Sequence, residues 1–280
     1  MDSDHRAAID AVLSQARPFE TPCGDGSMVW RRWGQGRPVV LLHGGSGSWM
    51  HWIRTIPALS PHYTVWAPDQ PGFGDSAVPP QPVTPDSYAV LVKEGLDALP
   101  QRLESFDIVG FSMGSGVGTR IARLVDGRVR HLVLAGANFV LGPRKPRGEL
   151  ISARRIKDLA ERTRAFRHNL GVMMIAHERN RDDFAVELYG FDAMKRRLKW
   201  LSFSNAEMMH ATLPHVKLQG RLCVISGADD QLIGHDPARQ AEAIRSAWPG
   251  AGYVTVPGAG HWVMYEGAEG FNRELLRALA

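Results

Sequence analysis

Apolar residues fall along this chain in short unbroken runs rather than in strict alternation with polar ones. Val39–Leu42, Tyr63–Ala67, Asp107–Phe111, His131–Ala135, Arg221–Ser226 and Gly252–Val256 are four to six residues long, rich in Val, Ile and Leu, and bounded by Gly, Pro or Asp. Continuous runs of this length fit strands covered on both faces, as in a parallel sheet. Helical spacing recurs between them, at 49–59, 84–103, 113–126, 237–247 and 265–279. A further amphipathic helix over 3–16 places Ile9, Val12 and Leu13 on one face, and Pro18 and Pro22 break it. Strand–helix alternation predicts an α/β fold with a doubly wound, mostly parallel sheet. The rhythm fails only over 141–212, which is helical in pattern and has no convincing strand. The predicted organisation is a core of 1–140 and 213–280 interrupted by a helical cap of 141–212.

Length and composition bound this picture without redirecting it. A chain of 280 residues with 44% hydrophobic and 22% charged positions can bury a large single core and is not disordered. Its net charge is only +4, but the charge is uneven. Residues 144–200 hold 15 Lys or Arg and 8 Asp or Glu, or +7, which leaves −3 for the remainder. A basic helical insertion on a slightly acidic core reads as a lid and does not make a nucleic-acid binder. Two cysteines, Cys23 and Cys223, make neither a disulfide framework nor a metal cluster. The start Met1-Asp2-Ser3-Asp4-His5-Arg6 lacks the pattern of a secretory signal. No stretch approaches the ~18 consecutive apolar residues of a membrane span. The expectation is a cytoplasmic protein acting on a small molecule, without nucleic-acid or membrane partners, compatible with a homo-oligomer.

The chemistry centres on Gly110-Phe111-Ser112-Met113-Gly114, which follows one predicted strand and opens a predicted helix. A serine at such a bend projects above the sheet, and flanking glycines relieve the collisions that so sharp a turn imposes. The helix N-terminus behind it favours developing negative charge. With 29 Gly and 16 Ser in the chain, chance yields G-x-S-x-G about 0.2 times per sequence, so its placement carries the weight.

A serine hydroxyl needs a base. His261 lies in the glycine-rich loop Pro257–Trp262 after the last predicted strand, where loops at the carboxyl ends of parallel strands line a ligand crevice. A carboxylate to orient the imidazole is expected after the strand Arg221–Ser226, where Asp229 and Asp230 both stand. Oxyanion donors are expected from the amide of Met113 and from the loop His43–Ser48. Gly45 is preferred there, with Gly44 and Ser46 as alternatives. That loop lacks both the P-loop ending and the dinucleotide-binding glycine spacing. No cofactor and no metal are implied. Acid and histidine follow the serine in the order Ser112, Asp230, His261.

These pieces, with Leu42-His43-Gly44-Gly45 and Asp69-Gln70-Pro71-Gly72-Phe73-Gly74-Asp75-Ser76, resemble the α/β-hydrolase superfamily over about 37–140 and 215–280. In that family the acid usually stands three residues after the glycine, which selects Asp230. The resemblance also implies structural roles for Asp69 and for His43, which braces the oxyanion loop. Gly260-His261-Trp262-Val263-Met264-Tyr265-Glu266 is similar to the tail of meta-cleavage-product C–C hydrolases. Those enzymes usually carry Asn before the nucleophile and Gly-Gly after the methionine, whereas Phe111 and Gly114-Ser115 stand here.

The function that follows is hydrolysis of an ester or related acyl substrate through an acyl-enzyme on Ser112. The alternatives are C–C bond hydrolysis and a ligand-binding receptor on the same fold; a cofactor-free oxygenase or haloperoxidase also remains open. In the cap, Met173, Met174, Phe184, Met194, Trp200, Phe203, Met208 and Met209 are candidates either for a pocket lining or for the cap's own core. The run Lys195-Arg196-Arg197-Leu198-Lys199 fits an anion site or a solvated basic face.

Overall fold

A computed structural model describes residues 2–142, 148–198, 205–233 and 236–280. Eight strands form one sheet: β1 (Arg17–Cys23), β2 (Gly26–Trp33), β3 (Arg37–Leu42), β4 (Tyr63–Pro68), β5 (Phe106–Phe111), β6 (Val129–Ala135), β7 (Leu222–Gly227) and β8 (Gly252–Val256). Their spatial order is β1-β2-β4-β3-β5-β6-β7-β8. The six strands from β3 onward run parallel, while β1 and β2 join antiparallel at one edge.

The apolar runs are continuous because each strand is buried from both sides. Val39, Leu41, Val109, Val133 and Ile225 enter one core cluster, and their neighbours Val40, Leu42, Ile108, Leu132 and Val224 enter the other. This is the period-two alternation of a pleated strand, invisible in the sequence because both faces are covered.

Ten helices accompany the sheet among the described residues: α1 (Ser3–Leu13), α2 (Ile56–Leu59), α3 (Pro85–Asp97), α4 (Met113–Leu124), α5 (Leu159–Met173), α6 (Asp183–Lys195), α7 (Ala206–Thr212), α8 (Pro237–Ala247), α9 (Val263–Glu266) and α10 (Ala268–Leu279). α3 starts at a capping box in which Thr84 and Ser87 exchange bonds. α5, α6 and α7 lie between β6 and β7, and the described residues there contain no strand. None of the described helices is long and apolar enough to cross a membrane.

Three expectations differ from what is found. The first predicted strand is Val39–Leu42, whereas the hairpin β1–β2 precedes it. Pro18 and Pro22 both sit in β1, an edge strand, where a missing amide donor is tolerated. The helix expected over 49–59 is instead a 3₁₀ turn at Trp49–Trp52 followed by α2. Pro57 stands in the first turn of α2, a position that suits a proline and so starts a new helix rather than extending the previous one. The helix expected over 265–279 begins earlier, at Val263, and is split by Gly267.

Candidate active site

The loops after β3, β5, β7 and β8 meet at the carboxyl edge of the parallel strands. Ser112 occupies the reversal between β5 and α4 with φ 50° and ψ −111°, a backbone that side-chain-bearing residues rarely adopt. Two glycines permit the turn. A Cβ on Gly110 would lie 2.4 Å from the Gly114 carbonyl oxygen, and one on Gly114 would lie 2.2 Å from that of Leu42. The buried Ser115 hydroxyl donates to the Gly110 carbonyl at 2.8 Å, and the Ser112 amide donates to Ala135 at 2.8 Å. The bend is thereby tied to the strands on either side.

His261 and Asp230 form a buried pair. The imidazole Nδ1 and the Asp230 Oδ2 are 2.7 Å apart, with side-chain exposures of 4% and 1%. The other carboxylate oxygen accepts the amides of Leu232 at 2.8 Å and Ile233 at 3.3 Å. With Nδ1 committed to Asp230, Nε2 is the nitrogen left to exchange a proton. The two loops that carry the pair are joined. The Ala228 amide donates to Val256 and that of Asp229 to Ala259, both at 2.9 Å. Gly227 lets them close, because a Cβ there would lie 2.1 Å from two carbonyl oxygens of the histidine loop. Asp229, the alternative acid, turns outward to His177 Nε2 at 2.9 Å.

Ser112 and His261 line one cavity of about 120 Å³ together with Gly45, Ser46, Phe73, Phe111 and Met113 from the sheet side. Leu150, Met173, Met174, Tyr189 and Arg196, from between β6 and β7, close the other side. The amides of Gly45 and Met113 have no acceptor among the described residues, and the Gly45 backbone faces the Met113 side chain.

Two histidines hold the Gly45 loop. The Gln70 amide donates to His43 Nε2 at 2.8 Å, so Nδ1 carries the proton and donates to the Gly44 carbonyl at 2.8 Å. The Gly44 amide donates to His51 Nδ1 at 3.2 Å. Burial lowers the pKa of both rings. For His51 the positive forms of His43 and His261 would repel further; for His43 the Gly44 carbonyl and Asp69 oppose the shift. Both rings therefore stay neutral, as these hydrogen bonds require. Asp69 anchors the adjoining turn, accepting from Trp49 at 3.0 Å, Arg31 at 2.9 Å and the Asp75 amide at 3.0 Å.

Sequence reasoning missed several contributors. Gly136 follows β6 with φ 58°, and a Cβ there would lie 2.9 Å from His261 Cε1, so its lack of a side chain makes room for the imidazole. The basic run that follows from the end of α6 is largely engaged among the described residues. Lys195 pairs with Asp75 at 2.5 Å, Arg196 donates to the Ser46 hydroxyl at 3.0 Å, and Arg197 donates to the carbonyls of Gly74 and Ser76. Of the candidate pocket residues, Met173 and Met174 reach the cavity, Met209 is core, Met208 and Phe184 pack against core clusters, and Met194 is exposed. Lys199, Trp200 and Phe203 lie outside the described residues.

Asp192 of α6 is 2% exposed, with Oδ1 unpartnered and Ser48 against its carboxyl. Burial drives its pKa well above the usual carboxylate range. The charge of Asp69 adds to this, while Ser48 and Lys195 oppose it.

The chain matches the model of the alpha/beta hydrolase family over residues 39–274 and belongs to that family. It is a hydrolase of the α/β type. It is 28% identical over 88% of its length, and 85% of the relative's, to a 2-hydroxy-6-oxo-6-(2'-aminophenyl)hexa-2,4-dienoic acid hydrolase of Metapseudomonas resinovorans. It is 30% identical to a 2-hydroxymuconate semialdehyde hydrolase of Pseudomonas sp. (strain CF600), over 85% of each chain. Its fold superposes on naproxen esterase from Bacillus subtilis with a TM-score of 0.75 at 17% identity, covering 100% of this chain and 99% of the other.

Two expectations follow. Gly136→Ala will crowd His261 and strain the backbone, lowering kcat by about 10- to 100-fold as expected for ångström-scale misplacement of a reacting group; steady-state kinetics on the folded variant checks it. For Asp192 the native pKa exceeds the unfolded one, so the native state holds more protons between the two values. Its contribution is complete below about pH 4 and is lost as pH rises through that window. Asp192→Asn cannot ionise, so its stability relative to the parent will improve from pH 4 to pH 8 in denaturant titrations. A pH-independent difference would contradict this.

Proposed function

We propose that this enzyme hydrolyses an ester or related acyl compound by covalent catalysis on Ser112. The observation that carries the reading is the buried Asp230–His261 pair sharing one cavity with a serine on a strained strand-to-helix turn. Ser112 Oγ attacks the acyl carbon while His261 Nε2 takes its proton, and Asp230 holds the ring and stabilises the resulting cation. The amides of Gly45 and Met113 receive the oxyanion. His261 then protonates the leaving group, and a water attacking the acyl-enzyme returns the cycle to its start. In this reading the segment 141–212 is a cap that closes the cavity over the serine.

Arg196 narrows the substrate class. Its guanidinium lines an otherwise largely apolar cavity and has no carboxylate partner among the described residues. An acyl compound that bears a carboxylate away from the reacting carbonyl fits such a cavity.

A second reading is cleavage of a C–C bond beside a carbonyl. Two relatives matched over nearly their whole length favour it, since their names give a dienoic acid and a semialdehyde as substrates. Phe111 weighs against it. Its ring lies 5.0 Å from His261 and offers no polar group beside the serine.

Ser112→Ala will abolish both turnover and labelling by a fluorophosphonate probe; unchanged labelling would overturn the assignment. A panel of p-nitrophenyl esters set against a dienoate separates the two readings. Arg196→Met will lower kcat/KM for a monoester of a dicarboxylic acid by about 10- to 100-fold, the equivalent of one charge-assisted hydrogen bond. A neutral ester will change far less, and equal losses on both would remove the anion-binding role.

A further inference from the structure

The tail Gly260–Glu266 ends in a carboxylate that the reaction itself does not use. Glu266 Oε2 accepts the Gly260 amide at 2.7 Å and the Ala176 amide at 2.9 Å. Its Oε1 accepts the His177 amide at 2.9 Å and the Asn180 side-chain amide at 3.0 Å. Four donors thus converge on one partly buried carboxylate. One comes from the residue immediately before His261, and three come from the turn that follows α5.

The fit around this carboxylate is close. A Cβ on Gly260 would lie 2.7 Å from the Ala176 nitrogen and 3.0 Å from Glu266 Oε2, so the histidine loop and the 174–180 turn touch through bare backbone. Two further bonds run in parallel. The Trp262 amide donates to the Met174 carbonyl at 2.7 Å, and Gln231 Nε2 donates to the Gly171 carbonyl at 2.8 Å. Met173 and Met174, on the same stretch, form part of the cavity wall.

Burying three backbone N–H groups without acceptors is costly, and a carboxylate serves several at once. Oε2 takes one donor from each loop and Oε1 takes the other two, so both carboxylate oxygens are needed to satisfy all four. An amide in its place turns its own N–H groups toward two of them. The four bonds also have a direction: they fix the Gly260 backbone from one side while Asp230 fixes the His261 ring from the other.

We infer that Glu266 is a positioning residue for His261, setting the histidine loop against the 174–180 turn. The inference rests on His261 being the base of the proposed reaction. It assigns Glu266 an effect on the chemical step that exceeds its effect on substrate binding, because the donors it holds set the ring's height above the sheet and do not touch the substrate.

The test compares Glu266→Gln and Glu266→Asp with Asp182→Asn in the full chain, using a p-nitrophenyl ester that the parent turns over and a fluorophosphonate probe. Asp182 is the control because it holds the same tail by another route, accepting from Tyr265 at 2.7 Å and Arg54 at 3.3 Å. Glu266→Gln is expected to lower kcat and the labelling rate at least tenfold while KM stays within threefold. Glu266→Asp keeps the charge and should recover part of that loss, and it carries the same test where the Gln variant does not fold. Asp182→Asn is expected to lower the melting temperature with kcat retained. Parental kcat in the Glu266 variants, or a kcat loss that Asp182→Asn matches at equal loss of melting temperature, would overturn the inference. His261→Ala guards the premise. If it still labels at the parental rate, the assignment of His261 as base fails, independently of Glu266.

Discussion

The reversal at Ser112 depends on backbones meeting where side chains cannot fit. Gly110 and Gly114 approach neighbouring carbonyls so closely that a single methyl on either would force strand and helix apart. Because that approach is allowed, α4 starts directly behind the serine with the Met113 amide at its first position. The same closeness sets Leu42 and His43 against Gly114, so the start of the loop after β3 lies against the helix terminus. The sheet contributes rigidity. The Ser115 hydroxyl and the Ser112 amide bond to β5 and to the end of β6, so the strained residue is held from both sides. Strain of about 1–3 kcal/mol at one residue persists only where its surroundings over-determine it, as they do here.

How far the sequence carried depended on the range of the interaction. The parallel strands were legible because burial on both faces leaves an unmistakable run of apolar residues, and Gly110 and Gly114 advertised the bend. His261 and the pair Asp229 and Asp230 were legible because they follow strands in glycine-marked loops, while the choice of Asp230 came from the family resemblance. The hairpin β1–β2 was not, since its strands mix prolines, arginines and tryptophans and take their place from pairing at the sheet edge. Gly136 and Glu266 act on residues far away in the chain. Nothing local distinguishes Gly136 from any other glycine after a strand, and its role appears only when the His261 ring is set against it. The basic run that follows from the end of α6 was ambiguous for the same reason: charge can be read from composition, but its partners Asp75, Ser46 and the Gly74 carbonyl cannot.

Among the polar contacts that bind the segment between β6 and β7 to the rest of the fold, two groups border the site. In one, Lys195, Arg196 and Arg197 engage the turns after β3 and β4, joining Arg31, Asp69 and Asp75 in one charged network. In the other, Glu266 and Trp262 hold the stretch after α5. The cavity takes Leu150, Met173, Met174, Tyr189 and Arg196 from the helical side and Phe73, Phe111 and Met113 from the sheet side. Part of the cavity wall thus comes from a stretch of chain that carries none of Ser112, Asp230 and His261, and that part can vary while the elbow stays fixed.

The sulfur in that wall gives the protein a chemical liability. Met113, Met173 and Met174 all border the cavity, and Met113 also presents its backbone amide beside the serine. Peroxide converts a thioether to a sulfoxide, replacing a soft apolar surface with a strong dipole. In a space of about 120 Å³ such a dipole would take up room and change the polarity of the wall. Oxidation would therefore alter the cavity without touching Ser112, His261 or the fold, and methionine sulfoxide reductases could reverse it.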